Sequence, residues 1–329
     1  MNAPFDERVT QYYAALARSR DPACDPIAAQ FVPQTGETLL DAAETDDPLQ
    51  DRGYAPVDRL VHRYPDRALI LATDRCAVYC RHCFRRHFTE RGSGAITEEQ
   101  LNAIVAYLAR QPQVTELLLS GGDPLMLEPD RLESVLERLY SVNPAYIVRV
   151  CTRVPVVMPS RIGERLAAAL GLRGGLWLVT QVNHPHELTP EFAAALRRLQ
   201  RHGVPVLNQS VLLRGVNDSL ETLVALFRGL LQLRVKPYYL FQADLAAGTR
   251  HLRVSIEEGL ELMRKLRTRV SGPALPVYAL DQPGAGGKLN LEIAFQGVEG
   301  ESYLLRDGEG REYRYPRELP SAAYLASIS

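Results

Sequence analysis

The sequence predicts an α/β fold, a partial (β/α)6 barrel with an N-terminal helical segment and a small C-terminal β appendage. Three features predict it: six short apolar runs, amphipathic stretches with helix-capping residues between them, and strand ends mostly spaced by about 30 residues, one βα unit. The runs are Ala68–Ala72, Glu116–Ser120, Ile147–Thr152, Leu176–Gln181, Val206–Val211 and Tyr238–Gln242. Their apolar residues run on rather than alternate, which marks buried parallel strands. Thr97 with Gln100, Asp130 with Glu133, Asp218 with Glu221 and Ser255 with Glu258 have the capping-box spacing or its Asp variant. Thr189-Pro190 sets a cap before a proline at the first helical position. After Thr97, Leu101, Ile104, Val105 and Leu108 share one face, as packing on a sheet requires. Residues 1–60 read as a helical segment, 61–282 as the barrel and 283–329 as the appendage, where ESYLLRDGEGREYRYP forms a hairpin around Asp307-Gly308. In barrels of this kind the reactive groups gather at the C-terminal ends of the strands.

The chain has 329 residues, enough for one large domain or two ordinary ones. Its composition, 46% hydrophobic and 23% charged, is globular, and a net charge of −1 gives no reason to expect a nucleic-acid partner. The N-terminus, MNAPFDERVTQYYAALARSRD, lacks the apolar core of a signal peptide. No apolar run approaches the length of a bilayer span. A soluble cytoplasmic protein is expected, with no membrane partner.

Of five cysteines, Cys24 and Cys151 stand alone, while Cys76, Cys80 and Cys83 crowd together directly after the first barrel strand. An odd count with three clustered thiols is a poor disulfide framework and a good metal-ligand set. Three thiolates at this spacing can hold three corners of a [4Fe–4S] cubane and leave the fourth iron open. A closed zinc shell wants four ligands, and His82 or His87 could supply the fourth, so zinc is the alternative. The second strand ends in Ser120-Gly121-Gly122-Asp123-Pro124. Glycines let backbone come close to a ligand, and Asp123 can accept from an ammonium group; a tight βα turn would use the same residues. Asp281–Lys288, DQPGAGGK, is glycine-rich and ends in lysine, but Leu289 breaks the phosphate-loop pattern. A mobile loop presenting one amine suits a Schiff-base lysine for pyridoxal phosphate, with a plain surface loop as the alternative.

C-x3-C-x2-C after the first strand of a partial barrel resembles the radical S-adenosylmethionine (SAM) superfamily, in which the open iron chelates SAM. His82 falls where that family sets a ring against the adenine, and Ser120, Gly121, Gly122 and Asp123 resemble its segment for the methionyl amine. YPDRALIL, TDRCAVYCRHCFRRHF, LLSGGDPLM, TRVPVV, NHPHEL, LNQSVLLRGVND, PYYLFQADL and DQPGAGGK together resemble the lysine 2,3-aminomutase family, in family order from Tyr64 to Lys288.

The resemblance implies a [4Fe–4S] cluster on Cys76, Cys80 and Cys83, with SAM and pyridoxal 5′-phosphate as further cofactors. It implies that Lys288 carries pyridoxal phosphate and that Arg63, Tyr64 and Arg67 hold it, an arginine pair suiting a phosphate dianion. Arg85 would grip the substrate carboxylate, and His184 and Gln209 would contact SAM. Asp244 and Asp281 would bind the distal ammonium of lysine; glutamate-specific relatives replace this pair. Taken singly, each arginine reads as surface charge and each aspartate as a loop or cap residue.

The implied reaction converts L-lysine to β-lysine: an electron cleaves SAM to a 5′-deoxyadenosyl radical, which takes hydrogen from the β-carbon before the amino group migrates. An electron donor such as flavodoxin or ferredoxin and a homo-oligomeric state accompany this expectation. No cysteine follows Cys151, so the C-terminal zinc site of clostridial-type members is not expected. The length resembles aminomutases that serve elongation factor P, which tend to lack this full glycine-rich loop. The alternatives are a 2,3-aminomutase for another amino acid such as arginine, and a non-catalytic Fe–S protein on the same fold.

Overall fold

A computed structural model describes residues 6–39, 41–89, 92–172, 174–282 and 287–328. Nine strands form one sheet in chain order: β1 Leu60–Tyr64, β2 Arg67–Thr73, β3 Glu116–Gly121, β4 Ile147–Thr152, β5 Leu176–Thr180, β6 Val206–Leu212, β7 Lys236–Gln242, β8 Val277–Asp281 and β9 Lys288–Asn290. Strands β2 to β8 run parallel, and the outer pairs β1–β2 and β8–β9 are antiparallel. The six strands expected from the sequence are β2 to β7, and β8 adds a seventh parallel strand. Leu60–Tyr64 mixes apolar with basic residues and β9 has three residues, so neither carries a strand pattern.

The barrel helices are Glu98–Leu108, Pro129–Val142, Glu164–Gly171, Pro190–Arg201, Leu220–Gln232 and Ile256–Leu266. Thr97 and Ser255 form complete capping boxes, and the Thr189 hydroxyl accepts from the Phe192 N–H. Two starts differ from expectation. Ser219 caps the helix after β6 because Asp218 turns to Arg214 instead, 3.5 Å away. The helix after β3 begins at Pro129 with no side-chain cap, and Asp130 pairs with Arg165.

The run-on apolar strands are not covered alike on both faces. In β3, Leu117 and Leu119 are fully buried in the core with Leu101 and Ile104, whereas Leu118 and Ser120 line a central cavity. In β6 burial likewise alternates, with Leu207, Gln209 and Val211 on the cavity side. Helices therefore cover one face, and the other encloses the site. The sheet is curled enough for its two ends to meet: Arg63 of β1 donates through Nη2 to the Gln282 carbonyl just past β8, at 2.5 Å.

The N-terminal segment, residues 1–60, is expected to be helical, but among its described residues it holds one four-residue helix, Gln11–Ala14, and short 3-10 turns at Ala28–Gln30, Thr35–Thr38 and Asp51–Tyr54. It wraps the loop that carries the clustered cysteines. The Arg8 and Gln30 carbonyls accept from the Tyr79 and Arg81 N–H groups, both at 2.9 Å. The Arg81 guanidinium meets Glu37 with Nε–Oε1 at 2.7 Å, and both side chains are closed to solvent. At the C-terminus, β10 Phe295–Glu299, β11 Ser302–Arg306 and β12 Glu312–Pro316 form an antiparallel sheet. The expected hairpin is β11–β12, turning from Asp307, whose N–H donates to the Arg311 carbonyl at 3.0 Å. Among the described residues no helix is long and apolar enough to cross a membrane.

Glu37 is the carboxylate shared by buried Arg81 and by Arg86. Glu37→Gln is expected to lower unfolding free energy by about 3 kcal/mol, the order lost when one partner of a buried ion pair is removed. Denaturant titration checks this, and a loss below about 1 kcal/mol would show that the pair does not hold the segment in place.

Candidate active site

The inner face of the sheet and the strand-end loops enclose a cavity of about 670 Å3. Of the residues to which the family resemblance gives a role, all but His184 line it, and His87, the other candidate zinc ligand, does not. Arg63, Tyr64 and Arg67 come from the β1–β2 hairpin, and Cys76, Cys80, His82, Cys83 and Arg85 from the loop after β2. Ser120 to Asp123 end β3, Gln209 projects from β6, Asp244 follows β7, and Asp281 and Lys288 sit on β8 and β9.

The three thiols are free. Burial pushes Cys83 up to about 11 and Cys76 well above the usual thiol range, and neighbouring sulfurs add to both. Crowded, desolvated thiols of this kind release their protons when a cation shares the site. Among the described residues no three His, Cys, Asp or Glu side chains converge on the position of a single ion. His82 faces Gln181 (Nε2–Oε1 3.3 Å) and does not close a shell with the cysteines. Burial, with Arg153 nearby, holds His82 down to about 3, so its ring is neutral. Three cysteines on one cavity wall suit a cluster with an open corner better than a closed zinc shell.

The glycines of the β3 end serve a close approach. Gly121 has φ +123°, and a β-carbon there would lie 2.4 Å from the Thr73 carbonyl oxygen; at Gly122 it would lie 2.4 Å from that of Arg75. The Gly122 and Asp123 N–H groups donate to these same carbonyls at 2.6 and 2.8 Å, pinning β3 to the chain leading into Cys76. Asp123 is fully engaged. Its Oδ1 accepts from Leu125 N (3.0 Å) and Thr152 Oγ1 (2.6 Å), its Oδ2 from Arg153 N (2.7 Å) and Val154 N (3.2 Å). Burial nevertheless raises it to about 6, against these donors. Asp123 thus brackets the ends of β3 and β4. His184 caps a 3-10 turn, its Nδ1 accepting from His186 N at 3.2 Å, and lies off the cavity wall.

Opposed residues of the β8–β9 ladder bring Asp281 and Lys288 together, with Nζ 2.5 and 2.7 Å from the carboxylate oxygens. The Lys288 Nζ also lies 4.9 Å from the Phe241 ring centre. Residues 283–286 of the glycine-rich loop lie outside the described residues. Asp244 shares this corner; burial, then the Asp281 charge, raises it to about 8. Arg63 keeps Nε buried without a hydrogen-bond partner, and Arg67 lies 4.1 Å over the Tyr64 ring. Arg85 is held by Asp51 through Nε at 2.7 Å. Sequence reasoning did not single out Asp51 or Arg153. Arg153 lies inside the quoted TRVPVV segment, whereas Asp51 has no motif around it.

The radical SAM superfamily model matches residues 70–227. The chain is 42% identical over 280 residues to L-lysine 2,3-aminomutase of Acetoanaerobium sticklandii, covering 85% of this chain and 67% of that protein. The chain belongs to the lysine 2,3-aminomutase family of the radical SAM superfamily. Glutamate 2,3-aminomutase of Clostridioides difficile is 36% identical over 308 residues, covering 93% of this chain and 72% of that protein. The fold of Streptococcus suis SuiB bound to S-adenosylmethionine is also similar, with a TM-score of 0.50 at 11% identity over 72% of this chain and 52% of that one. This aminomutase-family chain spans about two thirds of the length of the lysine aminomutase relatives it matches.

Gly122→Ala tests the link between β3 and the cysteine loop. The added methyl meets a backbone oxygen that cannot give way cheaply. Iron and sulfide bound per chain after anaerobic reconstitution are expected to fall severalfold; unchanged loading would mean that the loop does not depend on this contact.

Proposed function

We propose that the chain is an L-lysine 2,3-aminomutase that forms β-lysine, with a [4Fe–4S] cluster on Cys76, Cys80 and Cys83 and pyridoxal phosphate on Lys288. One observation carries the reading: a single cavity is lined by the three cysteines and by Lys288 beside Asp244 and Asp281. When bound, the cluster supplies the electron that cleaves SAM, and pyridoxal phosphate supplies a conjugated ring able to spread an unpaired electron. An external one-electron donor of the flavodoxin or ferredoxin class would provide that electron.

The chain's own residues bind and orient. Arg63 and Arg67 line the cavity and give two cations for a phosphate, while Tyr64 presents a ring beside the loop end at Gly287. Asp51 occupies Nε of Arg85 and fixes the plane of the guanidinium, which leaves the Nη nitrogens for a substrate carboxylate. Asp244 and Asp281 face Lys288, which pairs directly with Asp281, and feel the Arg85 charge as well. Once the Lys288 nitrogen is committed to a cofactor, a substrate ammonium replaces its charge, and an anionic side chain such as that of glutamate would be repelled. Gln209 and the neutral His82 ring line the same cavity as the cysteines and offer a hydrogen bond and a flat face to SAM.

The test is anaerobic reconstitution with iron, sulfide, pyridoxal phosphate, SAM, dithionite and L-lysine, read by mass spectrometry. Wild type is expected to form β-lysine, and Lys288→Ala to lose it while keeping reductive SAM cleavage. SAM cleavage with L-lysine untouched, or with L-arginine converted instead, would overturn the substrate assignment.

A pH series adds a second check. With Asp244 raised to about 8, the free site holds a proton near neutrality, and lysine binding displaces it. Lysine affinity is expected to tighten as pH rises, by up to about tenfold per unit from pH 6 to 8, and to level off above. Asp244→Asn is expected to weaken binding and flatten the profile. A wild-type profile flat from pH 6 to 8 removes Asp244 from the lysine site.

A further inference from the structure

Next to the cysteines lies a buried cation that none of these roles uses. Arg153 directly follows β4, is 7% exposed, and points its guanidinium at Cys80, with Nη1 2.9 Å from Sγ. Its Nη2 donates to Gln30 Oε1 (2.5 Å), Glu187 Oε1 (2.7 Å) and Tyr13 OH (2.8 Å). Glu187 is wholly buried. Its Oε1 also accepts from Tyr13 OH at 2.6 Å, and its Oε2 accepts from the N–H groups of Asn183 and His184 at 2.6 and 2.8 Å. The Arg153 backbone is fixed as well, by its N–H bond to Asp123. The guanidinium is therefore held by the N-terminal segment and by the loop after β5, while the end of β3 fixes the backbone that carries it.

The ion pair with Glu187 runs through Nη2 and leaves Nη1 for another partner. Nη1 is aimed at sulfur, a weak acceptor as a thiol and a strong one as a thiolate. A guanidinium keeps its proton throughout the working pH range, so its charge is permanent at this spot. Building on the proposal that Cys80 ligates a [4Fe–4S] cluster, we infer that Arg153 is a positioning residue that raises the reduction potential of that cluster through a charge-assisted hydrogen bond to the Cys80 sulfur, with Glu187 offsetting part of its charge. The cluster with three thiolates passes from net −1 to net −2 when it takes one electron from a low-potential donor. A fixed cation beside one sulfur favours the more negative state, so reduction becomes easier. A fixed anion does the reverse, and Glu187 meets Nη2, whereas the nitrogen that meets the sulfur is Nη1. Tyr13 and Gln30 thereby enter the redox apparatus, because they hold the far side of the guanidinium.

The experiment is a redox titration of reconstituted wild type, Arg153→Lys, Arg153→Gln and Glu187→Gln, with bound iron and sulfide and the thermal melt recorded for each. Arg153→Gln is expected to bind a full cluster whose reduced-to-oxidised ratio at a fixed poise falls at least tenfold, about 59 mV for one electron. Glu187→Gln is expected to raise the ratio, and Arg153→Lys to stay between wild type and Arg153→Gln. The downward shift is the discriminating result, because a merely loosened site admits water and moves the potential up. If Arg153→Gln does not fold, Arg153→Met combined with Glu187→Met removes the ion pair in favour of apolar side chains, a change often tolerated. That double variant is expected below wild type, by less. Fully loaded variants whose ratios lie within about twofold of wild type, or which shift in one common direction, overturn the inference. A wild type that binds no cluster overturns instead the ligation reading on which it rests.

Discussion

The cysteine loop carries three arginines into the protein, and the carboxylates that pair with them lie outside the sheet. Arg81, Arg85 and Arg86 stand within a few residues of three thiols, and Arg81 has no solvent access at all. Moving such cations out of water costs several kcal/mol each unless carboxylates meet them in good geometry. The carboxylates come from outside the sheet: Glu37 for Arg81 and Arg86, and Asp51 for Arg85. The N-terminal segment, with little regular secondary structure among its described residues, is thus the counter-charge of the site. Its irregularity follows from that role, since a chain tracking scattered cations and carbonyl groups cannot keep a helical repeat.

The second constraint is the curl of the sheet. Seven parallel strands with helices on one side leave the other side hollow, and the antiparallel strands at each margin lean over that hollow. Arg63 joins the margins by reaching the Gln282 carbonyl. Groups far apart in sequence, on the first hairpin and on the last strand pair, then face one volume. The residues proposed to hold the cofactors and the substrate thus line one cavity.

Much of this was legible where the signal is local. The cysteine spacing, the Thr97, Thr189 and Ser255 caps and the β2 to β7 strands each depend on residues a few positions apart, and all appear at or near the expected place. The cap at Ser219 was displaced by one residue because Arg214 competes for Asp218. What stayed hidden depends on distant partners. Nothing local marks Glu37 as the mate of Arg81, or Glu187 as the mate of Arg153. The run-on apolar pattern of β3 and β6 suggested two covered faces, because a side chain lining a cofactor cavity and one buried under a helix can both be leucine. His184 and Asp123 show the same gap: each belongs to a recognisable segment, but the His184 Nδ1 and both Asp123 oxygens are engaged by caps and brackets that only the folded chain reveals.

The ladder between β8 and β9 has a consequence for how such proteins can diverge. Asp281 and Lys288 oppose one another by strand register, whatever the length of the connection between them. Insertions in that connection leave their separation alone, whereas a slip of one position would turn the whole inward set to the other side. A change at position 281 therefore alters the surroundings of the Lys288 amine directly, because the two side chains are paired across the ladder.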